Sequence, residues 1–357
     1  MKAKKLLFLL IFAGIAIVSC APNHVDLHDL IVRKAVPIPP TNFYMSVAWF
    51  DEHHIGLVFH LEEPEAGYPI QEDILSIYDL ESKKLVALAM PKADFTCNIE
   101  GVTPHWRPDV IRRAKDRSLS VITSLSCDPS GGPNLLLKYV MQTNDFEVLT
   151  DYNRQRVGLM HFTFVSDTTL VQEKPVGHPM SNELYKVSIA DGSMVRLVPD
   201  FLRARWPTWS EKNQLVAFWG TAKYPGKEPK DLYTFNDIAN LVRAPWDIYV
   251  MDQAGENLSK IHSKVNNIGA LAWSPNGNIL AFGGTVDDLD GIWLLDMDNP
   301  QPVRIYEQNE AFDWSPDGKE IMVVETKEFD AANNDVQIKA FILELPNCVF
   351  ESLNACK

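Results

Sequence analysis

The chain has 357 residues, 46% hydrophobic and 22% charged, a globular composition that excludes a disordered chain and suits one large all-β domain or two ordinary ones. Asp plus Glu number 47 against 33 Lys plus Arg, for a net charge of −14. That balance excludes a nucleic-acid groove, which needs basic density to displace counterions; it suits a bound cation, a basic partner or plain solubility.

In chain order, residues 1–19 come first and set the compartment. MKAKK is basic, and LLFLLIFAGIAIV is an apolar run of signal-peptide length, short for a bilayer span. Ile17, Val18 and Ser19 lead to Cys20. An aliphatic residue and a small one before a cysteine resembles the lipobox of bacterial lipoproteins. The resemblance implies cleavage before Cys20 and diacylglycerol on its sulfur, with two acyl chains for stable anchoring. An ordinary secretory signal with an incidental cysteine is the alternative. Residues 20–29 are then a lipidated linker, and the chain is exported and held to the cell membrane or outer membrane by its N-terminal lipid.

The remainder reads as short strands. VAWFDEHHIGLVFH (47–60) is two apolar runs around a turn, followed by DILSIYDLESKKL. HWRPD opens a second unit, with SLSVITS and NLLLKYVMQTNDFEVLT. FTFVSDTTLVQE (162–173) and NELYKVSIADGSMVRLV make a third, and TWSEKNQLVAFWG with DIYVMDQAGENLSKI a fourth. The sharpest is LAWSPNGNILAFGG (271–284), with GIWLLDMD and PVRIYEQ as third and fourth strands; DWSPDGKEIMVVE (313–325) with QIKAFILEL repeats it. Pro presets φ at the first turn position, and Asn-Gly is expected to supply the positive φ of a tight hairpin. The six first-strand signals recur every 40 to 65 residues, roughly the length of a four-stranded antiparallel blade plus insertions. The expected fold is all-β: a six-bladed β-propeller over residues 30–347, with a tail at 348–357. A closed ring leaves no open sheet edge.

The motif W-S-P-[DN]-G before an apolar strand, with [IL]-Y-V-M-D later, resembles the TolB-type β-propeller repeat. Trp273-Ser274-Pro275-Asn276-Gly277, Trp314-Ser315-Pro316-Asp317-Gly318 and Ile248-Tyr249-Val250-Met251-Asp252 carry the resemblance. Trp209-Ser210-Glu211-Lys212 is a partial copy, and the other copies are weaker. Under this reading the Trp residues are packing groups. TolB has a small α/β domain ahead of its propeller; only residues 21–40 stand in that place here, so the resemblance is confined to the propeller.

Ring closure needs a fourth strand for the last blade. LIVRKAV (30–36) is similar to the fourth strands MVRLVPD and PVRIYEQ, so the N-terminal segment is expected beside QIKAFILEL; closure by CVFES is the alternative. With Cys20 acylated, Cys97, Cys127, Cys348 and Cys356 remain, an even number that suits an oxidising compartment. Of the three pairings, Cys97–Cys127 and Cys348–Cys356 are preferred, because each pair is close in sequence and brackets one unit.

The functional candidates lie in insertions at 61–73, 126–134, 173–182, 220–246 and 284–291, mainly on one face of the scaffold. The longest, GTAKYPGKEPKDLYTFNDIANLVRAPW (220–246), offers Tyr224, Tyr233, Phe235 and Trp246 as aromatic anchors, with a short helix over TFNDIANLVRA. Packing of those aromatics on the blades is the plainer reading. TVDDLDGIW (285–293) offers Asp287, Asp288 and Asp290; this suits Ca²⁺ in ligand type but lacks the EF-hand pattern, and an acidic hairpin tip is preferred. HLEEPEAGYPIQED (60–73) reads as a solvated acidic loop.

His60, His105, His161 and His178 are expected near one channel mouth. TolB-like propeller enzymes such as oligogalacturonate lyases resemble this in holding a divalent metal with channel histidines, and imidazoles suit Zn²⁺ or Mn²⁺. That is fold analogy, with no local spacing motif behind it. G-x-S-x-G, H-E-x-x-H and P-loop patterns do not occur. Binding is therefore preferred to catalysis, with no catalytic residue or cofactor assigned and only Ca²⁺ or a transition metal in the channel considered. The expected function is a membrane-anchored extracytoplasmic scaffold that binds a protein or small ligand, not nucleic acid, on its loop-rich face. The alternative is a metal-dependent carbohydrate lyase or hydrolase at the channel mouth.

Overall fold

The structure, a computed structural model, describes residues 27, 30–36, 43–62, 71–88, 105–113, 119–126, 134–140, 143–151, 161–175, 182–199, 201–222, 244–326, 338–351 and 353–356. The described strands form six four-stranded antiparallel sheets, and the chain is an all-β propeller. Five sheets are meanders with strands adjacent in chain order: the first spans 43–87, the second 105–151, the third 162–196, the fourth 201–265 and the fifth 271–306. No described helix is long and apolar enough to cross a membrane.

The sixth sheet joins the two ends of the chain. Its order is Val32–Val36, Ile338–Glu344, Glu320–Thr326, Ala311–Trp314. Val32 lies opposite Glu344 and Val36 opposite Ala340. The N-terminal segment thus supplies the outer strand, while the competing segment, Cys348–Glu351, is a single helical turn. Cys348 and Cys356 are disulfide-bonded; Cys20, Cys97 and Cys127 lie outside the described residues. One boundary shifts. Leu27, inside the expected linker 20–29, is 1% exposed, and its N–H donates to the Arg304 carbonyl at 3.0 Å. It packs with Ile31, Val349 and Leu353 on the fifth and sixth sheets, so the folded body includes Leu27.

The repeated turns explain the W-S-P-[DN]-G motif. In the fifth sheet Gly277 N–H donates to the Ser274 carbonyl at 2.8 Å, Asn278 N–H to Asn276 Oδ1 at 3.1 Å and Ile279 N–H to Ser274 Oγ at 3.0 Å. In the sixth, Gly318, Lys319 and Glu320 make the same bonds to Ser315 and Asp317. Only the glycine is left-handed, at φ 71° and 76° respectively. The Asn-Gly pair expected to share positive φ therefore divides its work: Asn accepts a hydrogen bond and Gly turns the chain. Ser210 opens the fourth-sheet copy with a turn one residue longer, and Gln214 (φ 55°) takes the glycine's place.

The core is divided among the sheet junctions. Separate clusters of buried residues join the first sheet to the second, the third to the fourth, the fourth to the fifth, the fifth to the sixth and the sixth back to the first. Between the second and third, Phe162, Leu170 and Val187 come from the third sheet, and half-buried Leu149 comes from the second. The packing supports an all-β propeller of four-stranded antiparallel sheets. Trp49, Trp273 and Trp314 are buried packing residues. The Nε1–H of Trp314 also donates to the Ala272 carbonyl at 3.0 Å, pinning the sixth sheet to the fifth.

Candidate functional site

The first strands of five sheets, with the residues that lead into them, surround a cavity of about 300 Å³. The first sheet contributes Ser46 and Val47, the third His161 and Thr163, the fourth Trp206 to Thr208, the fifth Ile268 to Ala272 and the sixth Asn309 to Asp313. The wall is mostly small side chains and backbone. Its polar side chains include His161, Asn309, Glu310 and Asp313.

Behind His161 is a buried carboxylate. Glu173, at 0% side-chain exposure, ends the buried stretch of the third sheet's second strand, Thr169–Pro175. Its Oε2 accepts from His161 Nδ1 at 3.1 Å and from the Trp206 N–H at 3.2 Å. Its Oε1 accepts from Arg205 Nε at 2.8 Å and from the Asn182 amide. Burial pushes the Glu173 carboxyl up, but the hydrogen bond and charge of His161, together with Arg205, outweigh it and hold the group below its ordinary 4.5. A carboxylate only accepts, so Nδ1 of His161 carries the proton, and in the neutral ring Nε2 is the basic nitrogen.

The fourth sheet shapes this corner by a break in its first strand, Phe201–Ser210. Pairing shifts between Arg205 and Thr208, and Trp206 has φ 55°. A bulky residue in the left-handed region is strained, and such strain concentrates at functional sites. The bend stacks the Trp206 ring on the His161 ring, with centroids 4.1 Å apart and planes at 26°. Two residues before Arg205, Arg203 is 4% exposed, its guanidinium 4.0 Å above the Trp246 ring. Burial, then repulsion from Arg205, lowers its pKa to about 10.

The candidates from sequence are placed unevenly. Of the four histidines, His161 reaches the cavity. His60 lies on the strand His54–Glu62, opposite Phe43 and Asp73, and His105 starts the strand His105–Arg113 opposite Ser126. His178 lies outside the described residues, as do Tyr224, Tyr233, Phe235 and the helix expected over TFNDIANLVRA. Among the described residues no group of three or more His, Cys, Asp or Glu stands close enough to hold a metal ion.

Two expectations are corrected. Trp246 is not an exposed anchor: it is 7% exposed and packs between the fourth and fifth sheets. The 284–291 segment is not an insertion either, because the strands Ile279–Val286 and Leu289–Asp296 leave only Asp287 and Asp288 between them. Both have positive φ, 46° and 66°, which makes a two-residue hairpin turn of the primed type. Asp290 points its carboxylate at the fold, accepting from Thr285 Oγ1 at 3.0 Å and from the Asn309 N–H at 3.3 Å, so the three aspartates do not form one ligand set.

Sequence reasoning missed Glu173, Arg203, Arg205 and Trp206. The available signal was FLRARWPTWS: two arginines in alternation on an apolar inner strand, ending at a Trp-Pro bend. Charges at such positions are costly unless partnered or used.

Known structures share the fold. The structure of putative TolB from Agrobacterium tumefaciens superposes with a TM-score of 0.53 at 13% identity, covering 88% of this chain and 98% of that one. TolB from Acinetobacter baumannii gives 0.52 at 12% identity over 82% of this chain; the match spans 63% of that chain. A calcium-binding protein, regucalcin, from Agrobacterium tumefaciens gives 0.52 at 11% identity, covering 88% and 96%. This is likeness of fold. Neither a protein-family model nor a curated protein sequence matches the chain.

Proposed function

We propose that the chain is an exported, lipid-anchored, six-bladed TolB-like propeller that serves the cell envelope as a binding scaffold. Its ligand or protein partner meets the end of the ring where second strands hand over to third strands. The observation that carries this reading is the cavity at that end of the axis, about 300 Å³, walled by first strands from five sheets. Concave sites on a rigid scaffold are where ligands bind. The Cys348–Cys356 disulfide and the Cys20 lipobox favour a compartment outside the cytoplasm. The six four-stranded sheets support the reading of six blades.

The test is placement of a photo-crosslinking side chain in cells. At Asp288, on a hairpin tip of that end, it is expected to trap a partner. At Lys319, directly after the Ser-Pro-Asp-Gly turn of the opposite end, it is expected to trap none; equal trapping at both positions would count against a directed binding face. Cys20→Ala should move the chain from the membrane fraction to the soluble fraction.

A second reading, metal-dependent catalysis at the same cavity, is favoured by one observation. A histidine held through Nδ1 by a carboxylate, as His161 is by Glu173, is the usual arrangement that orients a ligating or basic Nε2. Elemental mass spectrometry of the purified chain, with and without His161→Ala, separates the two: a stoichiometric transition metal lost in the variant would put catalysis first.

A further inference from the structure

Arg203 is a buried cation with poor partners. Its Nε lies 3.5 Å from Thr221 Oγ1 and an Nη donates to the Ala244 carbonyl at 3.4 Å, both at the long limit of a hydrogen bond. Among the described residues no carboxylate pairs with it, whereas its neighbour Arg205 has Glu173. A guanidinium has five N–H donors, and two of these contacts leave most of them unanswered. Taking a charge out of water without a counter-charge is expensive, and folds retain such groups where a function needs them.

The surroundings suit an anion. The guanidinium carbon lies 4.0 Å from the Trp246 ring centroid, and the donors not used on Thr221 and Ala244 can meet the two oxygens of a carboxylate. Arg205, though paired with Glu173, lies close enough to repel Arg203. The residue sits between the two stems of the 223–243 insertion, at Thr221 and Ala244, on the same end as the cavity. With a net charge of −14 the whole-protein field repels anions, so any anion held here is held locally.

We propose that Arg203, backed by Trp246, is the anchor of a carboxylate-binding site at the loop-bearing end of the propeller, taking a small organic anion in a two-pronged hydrogen bond. This rests on the binding reading above and names its ligand class. The competing role is structural: a clamp between the two stems of the insertion.

Thermal unfolding of the full chain in detergent tests it, in sodium acetate and sodium succinate against sodium chloride at equal ionic strength. Saturating carboxylate is expected to raise the wild-type midpoint by about 3 °C over chloride and to leave Arg203→Met unchanged. Arg203→Lys, which keeps the charge but not the fork, should need at least tenfold more anion and serves if the Met variant does not fold. No rise in the wild-type chain, or an equal rise in wild type and variant, overturns the proposal; the wild-type arm decides this without any variant. Crosslinking at Asp288 reports on the scaffold reading separately, so a lost anion site and a lost binding face are distinguishable.

Discussion

The backbone N–H of Trp49 donates to Asp313 Oδ2 at 2.7 Å, joining the first sheet to the sixth. This bond lies next to the junction where the chain's beginning and end meet. Asp313 stands on the strand Ala311–Trp314, immediately before the motif Trp. Asp313→Ala leaves the buried Trp49 amide without that acceptor and is expected to cost about 2 kcal/mol, read as a lower urea midpoint at unchanged slope.

Glu173 predicts a pH dependence. Its folded pKa lies below 4.5, so its contribution to stability is fully present above that value and is lost as pH falls through the lower folded value. Glu173→Gln should cost about 3 kcal/mol at pH 7, because Arg205 and His161 lose their carboxylate. The gap between variant and wild type should narrow as the pH is taken below 4.5. Urea titrations at pH 7, 5 and 3.5 check this; a gap that stays constant would mean that Glu173 acts by shape rather than charge.

The turn serines predict equal losses at two places. Ser274→Ala and Ser315→Ala each remove the acceptor for a strand N–H, that of Ile279 and that of Glu320. Each should cost about 1 kcal/mol. Amide hydrogen exchange should quicken at Ile279 and Glu320 in the corresponding variant.

The disulfide Cys348–Cys356 closes a loop with a sequence separation of 8. On chain-entropy grounds its loss costs about 2.5 kcal/mol. Val349 and Leu353 inside that loop pack on Leu27 and Ile31, so reduction should also loosen the N-terminal segment. Limited proteolysis of Cys356→Ser should cut first near residue 27, before any cut within the sheets.

Much of the fold was legible because its unit is local. A Ser-Pro-Asn-Gly turn between two apolar runs specifies its own hairpin, and copies of it at 274–277 and 315–318 imply blades stacked on one another. The similarity of 30–36 to the fourth strands located the outer strand of the sixth sheet for the same reason: edge strands of repeated sheets face the same surroundings. Trp246 misled because an aromatic after a long polar segment reads as part of that segment, whereas strand pairing with Val265 carries it into the junction core. Asp287 and Asp288 form the acidic hairpin tip preferred from sequence; the sequence does not reveal that the strands run up to it and leave no inserted loop.

By itself the sequence determined the strand repeat and the packing role of the motif tryptophans, and it favoured without deciding the closing segment and the Cys348–Cys356 pairing; all of these rest on short-range pattern. The tertiary structure alone decided which charges meet. Glu173 and Arg205 are 32 residues apart, and their contact exists only because the third and fourth sheets pack side by side. Arg203 meets Trp246 across its own sheet, from the first strand to the third. Both contacts join segments distant in the chain, so no local spacing records them.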